Sequence, residues 1–432
     1  MREYSTQSIR EIRGYGQQLA LGACSFSASL PAKEQSYESA HVSLCSAGDV
    51  YINRFRDDDF FSYWEKFSGK LRVISADEFE FDPRPLSEVV LNEPALLSKV
   101  RDACDIDDCV LHPFSPTKIE VDLASKLEID LWGTPDAWSQ IGSKSGARRL
   151  AKMCEVLVAP GLEVPGPLTL ENLLDNCSEL RAQGFSQAVL KSDFGISGRG
   201  NWKFSLRNGE REDLLRLIER VQISEEESQI CERGTFVLEA WMENSLSIGA
   251  HLEVTRQGAV FPISVWQQEM GDDQTSFLGS VPLAIPGRDV EILFETLNIL
   301  GQEIAKLGFW GSFGPDFLWN STDGFILSEI NARVPATAFA LEVARKAKGG
   351  STSVFLFRHI TLARPALFFD LKEALEAEGL LFAEPNSLGR GIIPINYALS
   401  RFGEVDLLAL GEDMNEAEAL FARASALLCG QS

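Results

Sequence analysis

The segment FGPDFLWNSTDGFILSEINAR, residues 313–333, decides the prediction of the fold because it has the pattern of a β-hairpin. Strand-like residues occupy 313–319, and residues 320–324 supply the asparagine, aspartate and glycine that suit a turn. Alternation of apolar and polar residues resumes at 325–330. The sequence therefore predicts two antiparallel strands whose acidic residues lie close together.

Two carboxylates and an amide occupy positions on this hairpin from which they can converge. Side chains two residues apart in a strand share a face, so Glu329 and Asn331 point the same way. Folding back across the turn places Asp316 opposite Ser328 or Glu329. Magnesium takes oxygen ligands of this kind when phosphate oxygens and water complete its coordination. We therefore predict a metal site of Asp316, Glu329 and Asn331; a surface hairpin with solvated acids is the alternative.

A second segment, AVLKSDFGISGRGNWKF at residues 188–204, has the features of a phosphate-binding loop. Its strand-like start ends at Lys191, whose ammonium group supplies a point charge for a phosphate oxygen. Glycines in the following loop let main-chain N–H groups approach a polyphosphate. The loop residues are Gly195, Ser197, Gly198, Arg199 and Gly200. A glycine-rich hairpin turn is the alternative explanation.

Competing chemistries have little support in the sequence. No Gly-x-x-x-x-Gly-Lys-Ser/Thr pattern occurs, which makes a P-loop unlikely, and no strand followed by Gly-x-Gly-x-x-Gly opens a helix at this loop, which argues against a dinucleotide fold. The four histidines are far apart and lack ligand-like spacing, so a zinc site or a Ser-His-Asp arrangement has no basis. We predict structural roles for His41, His112, His251 and His359.

Four motifs follow one another along the chain in a recognisable order. Lys144 comes first, then Lys191 with its glycine loop, then VLEAWME at residues 237–243, and finally DF and EINAR of the acidic hairpin. This order resembles the ATP-grasp superfamily, which includes biotin carboxylase and D-alanine:D-alanine ligase and holds ATP between two α/β lobes. The resemblance covers residues 144–333, and the acidic hairpin is its most specific part.

The resemblance implies a role in ATP binding for each motif. Lys144 and Lys191 would contact the α and β phosphates, and the loop at 195–200 would close over the phosphates. The hinge between the lobes would bind adenine through main-chain groups of Ala240 and Met242, with the preceding glutamate near the adenine amino group. The residues implied in ATP binding are Lys144, Lys191, Ser197, Gly198, Gly200, Glu239, Ala240, Trp241 and Met242.

The resemblance also implies the metal and the catalytic groups. Magnesium, for which manganese can substitute, would be held by Asp316, Glu329 and Asn331. The implied catalytic residues are Lys191, Arg199 and Arg333. Arg333 would stabilise an oxyanion and clamp the acceptor carboxylate, because a guanidinium binds carboxylate or phosphate in bidentate fashion.

Each assignment has a structural alternative. Lys144 precedes a helical pattern and could be a helix-start lysine, and Arg333 could form an ion pair with a nearby acid. The 237–243 segment could be a buried strand with Trp241 and Met242 in the core. Many ATP-grasp relatives place an acid a few residues after the hinge to hold the ribose, and Glu243 fits that position poorly.

The combination of groups predicts an ATP-dependent carboxylate–amine ligase. A carboxylate would attack the γ-phosphate to give an acyl phosphate and ADP, and an amine would then displace phosphate. We expect amino acids or a short peptide as substrates, as in biosynthetic amino-acid ligases. A small-molecule kinase that uses the same nucleotide site and a regulatory ATP-binding protein are the alternatives.

Composition agrees with this prediction. The 432 residues are 45% hydrophobic, and 63 acidic against 40 basic residues give a net charge of −23. Such a charge makes nucleic acid and anionic membrane unlikely as general partners. Eight cysteines without a Cys-x-x-Cys pair indicate reduced thiols of a cytoplasmic protein, and no signal peptide or membrane span is recognised. A homodimer is the default expectation.

The pattern of elements predicts an α/β protein of the ATP-grasp fold with a small Rossmann-like domain in front. We divide it into a pre-ATP-grasp domain (1–120), a first lobe with the glycine-rich loop (121–243) and a second lobe with the metal hairpin and a C-terminal subdomain (244–432). Finer expectations include a strand-like piece at 42–44 and a helix at 351–361. Residues 266–287 read as a long unpatterned loop whose acids Glu269, Asp272 and Asp273 could meet a substrate ammonium group.

Overall fold

The computed structural model describes residues 9–22, 36–76, 84–194, 200–206, 210–228, 235–347, 354–383 and 389–430. The α-helices in these residues are α1 Ile9–Arg13, α2 Asp58–Ser68, α3 Leu86–Asn92, α4 Pro94–Ala103, α5 Lys118–Leu127, α6 Pro135–Gln140, α7 Lys144–Met153, α8 Leu170–Ala182, α9 Glu210–Ser228, α10 Gly287–Lys306, α11 Ala336–Ala347, α12 Phe368–Ala377 and α13 Met414–Cys429. The strands are β1 Gln17–Leu21, β2 Val50–Asn53, β3 Arg72–Ser75, β4 Cys109–Pro113, β5 Asp130–Leu131, β6 Leu157–Val158, β7 Gly161–Pro165, β8 Gln187–Ser192, β9 Asn201–Ser205, β10 Thr235–Ala240, β11 Leu246–Val254, β12 Val260–Met270, β13 Phe277–Pro282, β14 Gly311–Asn320, β15 Gly324–Asn331, β16 Val354–Thr361, β17 Gly391–Pro394 and β18 Glu404–Gly411. Short 3-10 helices lie at Ser36–Leu44 and Tyr397–Phe402.

The first sheet is parallel, with the strand order β3-β2-β1-β4-β5. Leu19 at its centre pairs with Val50 on one side and Leu111 on the other. The three leucine and valine side chains are fully or almost fully buried against helices α3 to α5. Strands buried on both faces are typical of a parallel sheet covered by helices. The sheet confirms the small α/β unit that was predicted at the start of the chain.

The second sheet is antiparallel, with the order β7-β10-β8-β9. Leu238 of β10 pairs with Leu162 and Leu190 on its two sides, and helices α8 and α9 cover the sheet. Helix α8 begins at a capping box in which Thr169 and Asn172 bond each other's main-chain N–H groups. This sheet presents the ends of β8 and β10 to the rest of the molecule.

The third sheet has the order β17-β18-β16-β13-β12-β11-β14-β15-β6 in the described residues. Helix α10 packs on one face through side chains such as Leu293, Leu297 and Leu300. Helix α11 covers the other face in a cluster that also contains Trp64 of α2 and Trp266 of β12. The first sheet therefore joins the third through a shared apolar core.

Two local predictions are wrong. Residues 42–44 belong to the 3-10 helix Ser36–Leu44 instead of a strand. In its last turn the Ser43 carbonyl accepts a hydrogen bond from Lys346 of α11 at 2.6 Å. Residues 354–361 form strand β16 instead of a helix. β16 pairs with β18 along its whole length. A short apolar run is compatible with a helix or a strand, and pairing with β18 makes this segment a strand.

The predicted loop at 266–287 is also corrected. Its first part continues strand β12 to Met270, and Phe277–Pro282 returns as β13, so residues 271–276 alone form the turn. The strand was not predicted because successive glutamines and acids place polar residues on both of its faces. They remove the alternation of apolar and polar residues that indicates a strand.

Two properties concern the described chain as a whole. None of its helices is both long and apolar enough to cross a bilayer. The cysteines within the described residues have free thiols, at Cys45, Cys104, Cys109, Cys154, Cys177 and Cys429.

A buried ion pair connects the first sheet to the third. Arg13, the last residue of α1, contacts Glu253 of β11 at 3.1 Å, and both side chains are almost inaccessible to water. Burial would raise the pKa of Glu253, but the Arg13 charge and bonds from His251 and Ser312 outweigh it and lower the pKa to about 2. The indole N–H of Trp132 donates to the second carboxylate oxygen at 3.1 Å. Both carboxylate oxygens of Glu253 thus have partners, one in Arg13 and the other in Trp132.

Glu253→Gln tests this connection. The substitution leaves the Arg13 charge buried without its counter-ion, so we expect a loss of about 3–5 kcal/mol in the free energy of unfolding, measured by urea denaturation. The matched control is Asp122→Asn, which breaks the exposed pair with Lys118 and should cost less than about 1 kcal/mol.

The pH dependence of the same variant gives a second test. Glu253 has a folded pKa below its ordinary value of 4.5, so its stabilising effect is complete above pH 4.5 and declines as the pH falls toward 2. The difference in stability between wild type and Glu253→Gln should shrink over that interval. Equal losses in the free energy of unfolding for Glu253→Gln and Asp122→Asn at neutral pH would contradict the role of Glu253 as the counter-ion of Arg13.

Candidate functional site

The acidic hairpin folds as its sequence predicts. Strands β14 and β15 are antiparallel, and Asp316 lies opposite Glu329. A β-bulge between Asp316 and Phe317 places Ser328 as an extra residue in β15. The bulge lets Ser328 meet Lys191 of the second sheet, whose Nζ donates to the serine Oγ at 3.1 Å. The hairpin therefore faces the end of β8.

The amide of Asn331 fills the space between the two carboxylates. Its Nδ2 donates to Asp316 Oδ2 at 2.9 Å and to Glu329 Oε1 at 3.3 Å, and its Oδ1 accepts from Arg333. The amide nitrogen, and not the oxygen, thus faces the acids in this arrangement. A rotation of the amide by half a turn would bring the Asn331 oxygen beside the carboxylates instead.

The two carboxylates have opposite pKa shifts. Removal from water and the nearby Glu329 charge raise the pKa of Asp316 well above its ordinary value. Burial acts in the same sense on Glu329, but the charges of Lys144 and Lys191 outweigh it and lower the pKa of that group. The cations thus favour the charged form of Glu329, whereas burial and the neighbouring carboxylate disfavour the charged form of Asp316.

Lys144 and Lys191 reach the hairpin from different elements. Lys144 is the first residue of α7, which Ser143 caps by accepting from the Gly146 N–H at 3.0 Å. The Lys144 ammonium forms an ion pair with Glu329, and its main-chain N–H donates to Asp193 just beyond β8. Lys144 is thus both a helix-start lysine and a site residue.

Glu239 lies between two buried cations. Its carboxylate pairs with Lys191 at 2.7 Å and with Arg148 of α7. Arg148 also donates to the carbonyls of Ala159 at 3.0 Å and Gly161 at 2.9 Å, at the start of β7. Glu239 therefore compensates the charges of Arg148 and Lys191, a role beyond the adenine contact predicted for it.

Sequence reasoning missed Arg148, although a signal existed. Lys144 and Arg148 are four residues apart, which places them on one face of a helix. The structure confirms that both are buried. Two further missed contacts are those of Asp193, which accepts from Ser145 N–H at 2.7 Å, and Gln268, which donates to Asp316 at 3.0 Å.

The predicted hinge residues lie at the end of β10. The Ala240 N–H donates to the Pro160 carbonyl at 2.8 Å, and the Trp241 N–H donates to Gln187 at 3.0 Å. Because Pro160 has no N–H, it cannot return a bond to the Ala240 carbonyl across the ladder. Trp241 and Met242 are half-buried, so they are not core residues. The Lys203 ammonium lies 4.1 Å from the Trp241 ring centre.

The glycine loop is described only at its end. The predicted residues Ser197, Gly198 and Arg199 lie outside the described residues. Gly200 has a φ of +81°, a left-handed conformation that favours glycine, and its carbonyl accepts from Ser192 N–H at 2.7 Å. This bond joins the end of the loop to the strand that carries Lys191.

The acids of the 266–287 segment have partners of their own. Glu269 forms an ion pair with Arg358 at 2.6 Å on β16. Asp273 accepts from the main-chain N–H groups of Thr275 and Ser276 and so stabilises the turn between β12 and β13. Neither arrangement supports the ammonium-binding role that the sequence offered for them.

The donor set fits magnesium. No group of three or more His, Cys, Asp or Glu side chains suited to a metal ion occurs among the residues described. Two carboxylates with an amide nearby are nevertheless what magnesium takes from a protein when nucleotide phosphates supply other ligands. The flanking cations Lys144, Lys191 and Arg333 suit the phosphates themselves.

The fold matches solved structures over almost its whole length. Biotin carboxylase from Campylobacter jejuni has a TM-score of 0.62 at 15% identity, with 95% of this chain and 91% of that chain covered. The N5-carboxyaminoimidazole synthetase of Staphylococcus aureus in complex with ADP has a TM-score of 0.56 at 12% identity and covers 97% and 99%. The chain therefore shares the fold of these structures, which confirms the ATP-grasp fold class that the motifs predicted.

One curated protein is similar to this chain in sequence. The L-propargylglycine–L-glutamate ligase of Streptantibioticus cattleyicolor is 26% identical over 392 residues, which are 80% of this chain and 76% of the relative. No protein-family model matches the chain.

The substitution Glu239→Gln distinguishes a charge-compensating role of Glu239 from a role in contacting adenine alone. Loss of its charge leaves Arg148 and Lys191 without their shared counter-ion, so we expect the nucleotide-free protein to lose about 3–5 kcal/mol in urea unfolding. The matched control in the same sheet is Glu163→Gln, which breaks the exposed pair with Arg149 and should cost less than about 1 kcal/mol. Unchanged stability with weaker ATP binding would show that Glu239 is only an adenine contact.

Proposed function

We propose that the protein is an ATP-dependent ligase that joins a carboxylate to an amine, with an amino acid or short peptide among its substrates. The observation that carries this proposal is the meeting of Lys144 and Lys191 with the acidic hairpin, through Glu329 and Ser328. These contacts bring phosphate-binding cations and metal-binding oxygens together. The relative named above, which joins two amino acids, supports the same reaction class.

ATP would lie between the second sheet and the acidic hairpin. Adenine would reach the end of β10, where the Ala240 carbonyl, to which Pro160 cannot donate, would accept from the adenine amino group, and the Met242 main chain lies beyond the strand. Lys144 and Lys191 would bind phosphate oxygens as point charges. Loop 195–200 would close over the phosphates, with Ser197, Gly198 and Arg199 contacting them. The solved complexes of similar fold with ATP or ADP support this placement.

Asp316 and Glu329 would hold magnesium, with Asn331 added after its amide turns over. Bound there, the ion would neutralise charge on the phosphate oxygens during transfer. Its positive charge would compensate both carboxylates and so reduce the dependence of Glu329 on Lys144 for charge compensation. Manganese, which accepts the same oxygen ligands, would substitute.

The protein groups act by position and charge in both steps. The substrate carboxylate oxygen attacks the γ-phosphorus, the bond to the β-phosphate oxygen breaks, and ADP leaves. The amine nitrogen then attacks the acyl carbon to give a tetrahedral oxyanion. The oxyanion collapses as the bond between the acyl carbon and the phosphate oxygen breaks, the electron pair of that bond leaves with phosphate, and the nitrogen loses a proton to solvent. Arg333, held beside Asn331 and over the Phe114 ring, would clamp the carboxylate and stabilise that oxyanion.

Three broader features belong to the proposal. The chain would divide near residues 120 and 243 into a pre-ATP-grasp domain and two lobes. It would act in the cytoplasm, where free cysteines persist and ATP is supplied, and it would form a homodimer. Neither nucleic acid nor membrane would be a partner, since the net charge of −23 repels both.

The reaction class is tested by product analysis and one matched pair of variants. With amino-acid pairs the wild type should release ADP and phosphate, and hydroxylamine should trap the activated acid as a hydroxamate. Glu329→Gln should lower kcat more than about 100-fold, because the magnesium ion that would neutralise the phosphate charge loses a carboxylate ligand. Asp323→Asn, at the exposed tip of the same hairpin, should leave kcat unchanged.

Other products would contradict the ligase. Release of AMP and pyrophosphate excludes the acyl-phosphate route. A stable phosphate ester without hydroxamate identifies a kinase, and ATP binding without turnover of any pair identifies a binding protein.

A further inference from the structure

Gln268 of β12 links the candidate metal site to the strand beside it. Its Nε2 donates to Asp316 Oδ1 at 3.0 Å, and its Oε1 accepts from Ser247 Oγ at 2.6 Å. The Ser247 hydroxyl can donate to the amide oxygen, which leaves the amide nitrogen for the aspartate. The chain Ser247–Gln268–Asp316 therefore gives the glutamine amide a single consistent orientation.

The three residues come from three adjacent strands. Ser247 of β11 lies directly opposite Gln268, and Gly249, two residues further on, lies opposite Asp316. Side chains two residues apart share a face of a sheet, so the contact is fixed by strand register. A slip of one residue would turn each of these side chains to the other face.

Gly249 provides the room that the contact needs. A Cβ atom at this position would lie 2.9 Å from Gln268 Nε2 and 3.3 Å from Asp316 Oδ1. The main chain of β11 thus runs directly against the amide and the carboxylate. Their close approach depends on the absence of a side chain at residue 249.

Asp316 differs from Glu329 in how it is held. Glu329 has an ammonium partner in Lys144, whereas amide groups contact both oxygens of Asp316. Gln268 holds Oδ1 and Asn331 holds Oδ2. When the Asn331 amide turns over to present its oxygen to a cation, Gln268 is the amide donor that still orients the Asp316 carboxylate.

We propose that Gln268 is a positioning residue for Asp316, with Ser247 orienting its amide, and that this pair sets the divalent-cation affinity of the site. The inference rests on the proposed function in one respect, namely that Asp316 holds the cation of a metal–nucleotide complex. Neighbours that orient a metal ligand commonly change metal affinity or activity 10- to 100-fold when they are replaced.

Two consecutive glutamines offer a matched test. Gln267 and Gln268 are both half-buried in β12, and as neighbours in a strand they point to opposite faces. The experiment measures Mn²⁺ binding to the full chain with a non-hydrolysable ATP analogue, by electron paramagnetic resonance of free Mn²⁺. Gln268→Leu should weaken Mn²⁺ binding about 10- to 100-fold, and Gln267→Leu should change it less than about twofold.

Two further variants make the test independent of a single substitution. Ser247→Ala frees the Gln268 amide to rotate and should weaken Mn²⁺ binding in the same direction by a smaller factor. Asp316→Asn should abolish it. Thermal unfolding without metal or nucleotide checks that each variant folds. If Gln268→Leu does not fold, Mn²⁺ binding by Ser247→Ala decides whether Gln268 positions Asp316.

The outcomes separate this inference from the proposed function. Wild-type Mn²⁺ affinity in Gln268→Leu, with binding lost in Asp316→Asn, overturns the positioning role and leaves the proposed function in place. Equal weakening in Gln267→Leu and Gln268→Leu also overturns it, because the effect is then a general one of β12. Absence of Mn²⁺–nucleotide binding in the wild type overturns both.

Discussion

The site depends on the compensation of buried carboxylates by cations carried on helix α7. Its first residue, Lys144, pairs with Glu329 of the third sheet, and Arg148 one turn later pairs with Glu239 of the second sheet. Lys191 contributes to both acids. Buried charges are tolerated only when they are paired and hydrogen-bonded. One helical turn thus fixes the distance between the two sheets that face the proposed nucleotide.

Strand β11 organises the other side of the site. Glu253 near its end connects to Arg13 of the N-terminal unit, while Ser247 and Gly249 at its start contact Gln268 and Asp316. The strand pairs with β12 and β14 along most of its length, so a shift in its register would disturb the Arg13–Glu253 contact and the acidic hairpin together. The packing of the N-terminal unit and the geometry of the candidate site therefore both depend on the position of β11.

Local sequence signals predicted the parts of the site whose chemistry is carried by neighbouring residues. The Asp316–Glu329 pairing followed from a turn between two alternating runs, and Lys191 followed from a strand that ends in glycines. Arg148 and Gln268 were missed because their importance lies in partners 91 and 48 residues away. Strand β16 was misassigned because the apolar run at its start is compatible with a helix or a strand, and pairing with β18 makes it a strand.

By itself the sequence determined the ATP-grasp fold, the acidic hairpin, the lysines that face it and the order in which they occur. These features are set by turn chemistry, strand alternation and charge, which act over a few residues. Only the tertiary structure decided that Glu239 compensates Arg148 and Lys191, that the Asn331 amide faces the acids through its nitrogen, and that β12 supplies an amide to Asp316. Each of these depends on which polar groups become buried together, and a buried polar group takes whatever partner the folded chain brings within reach.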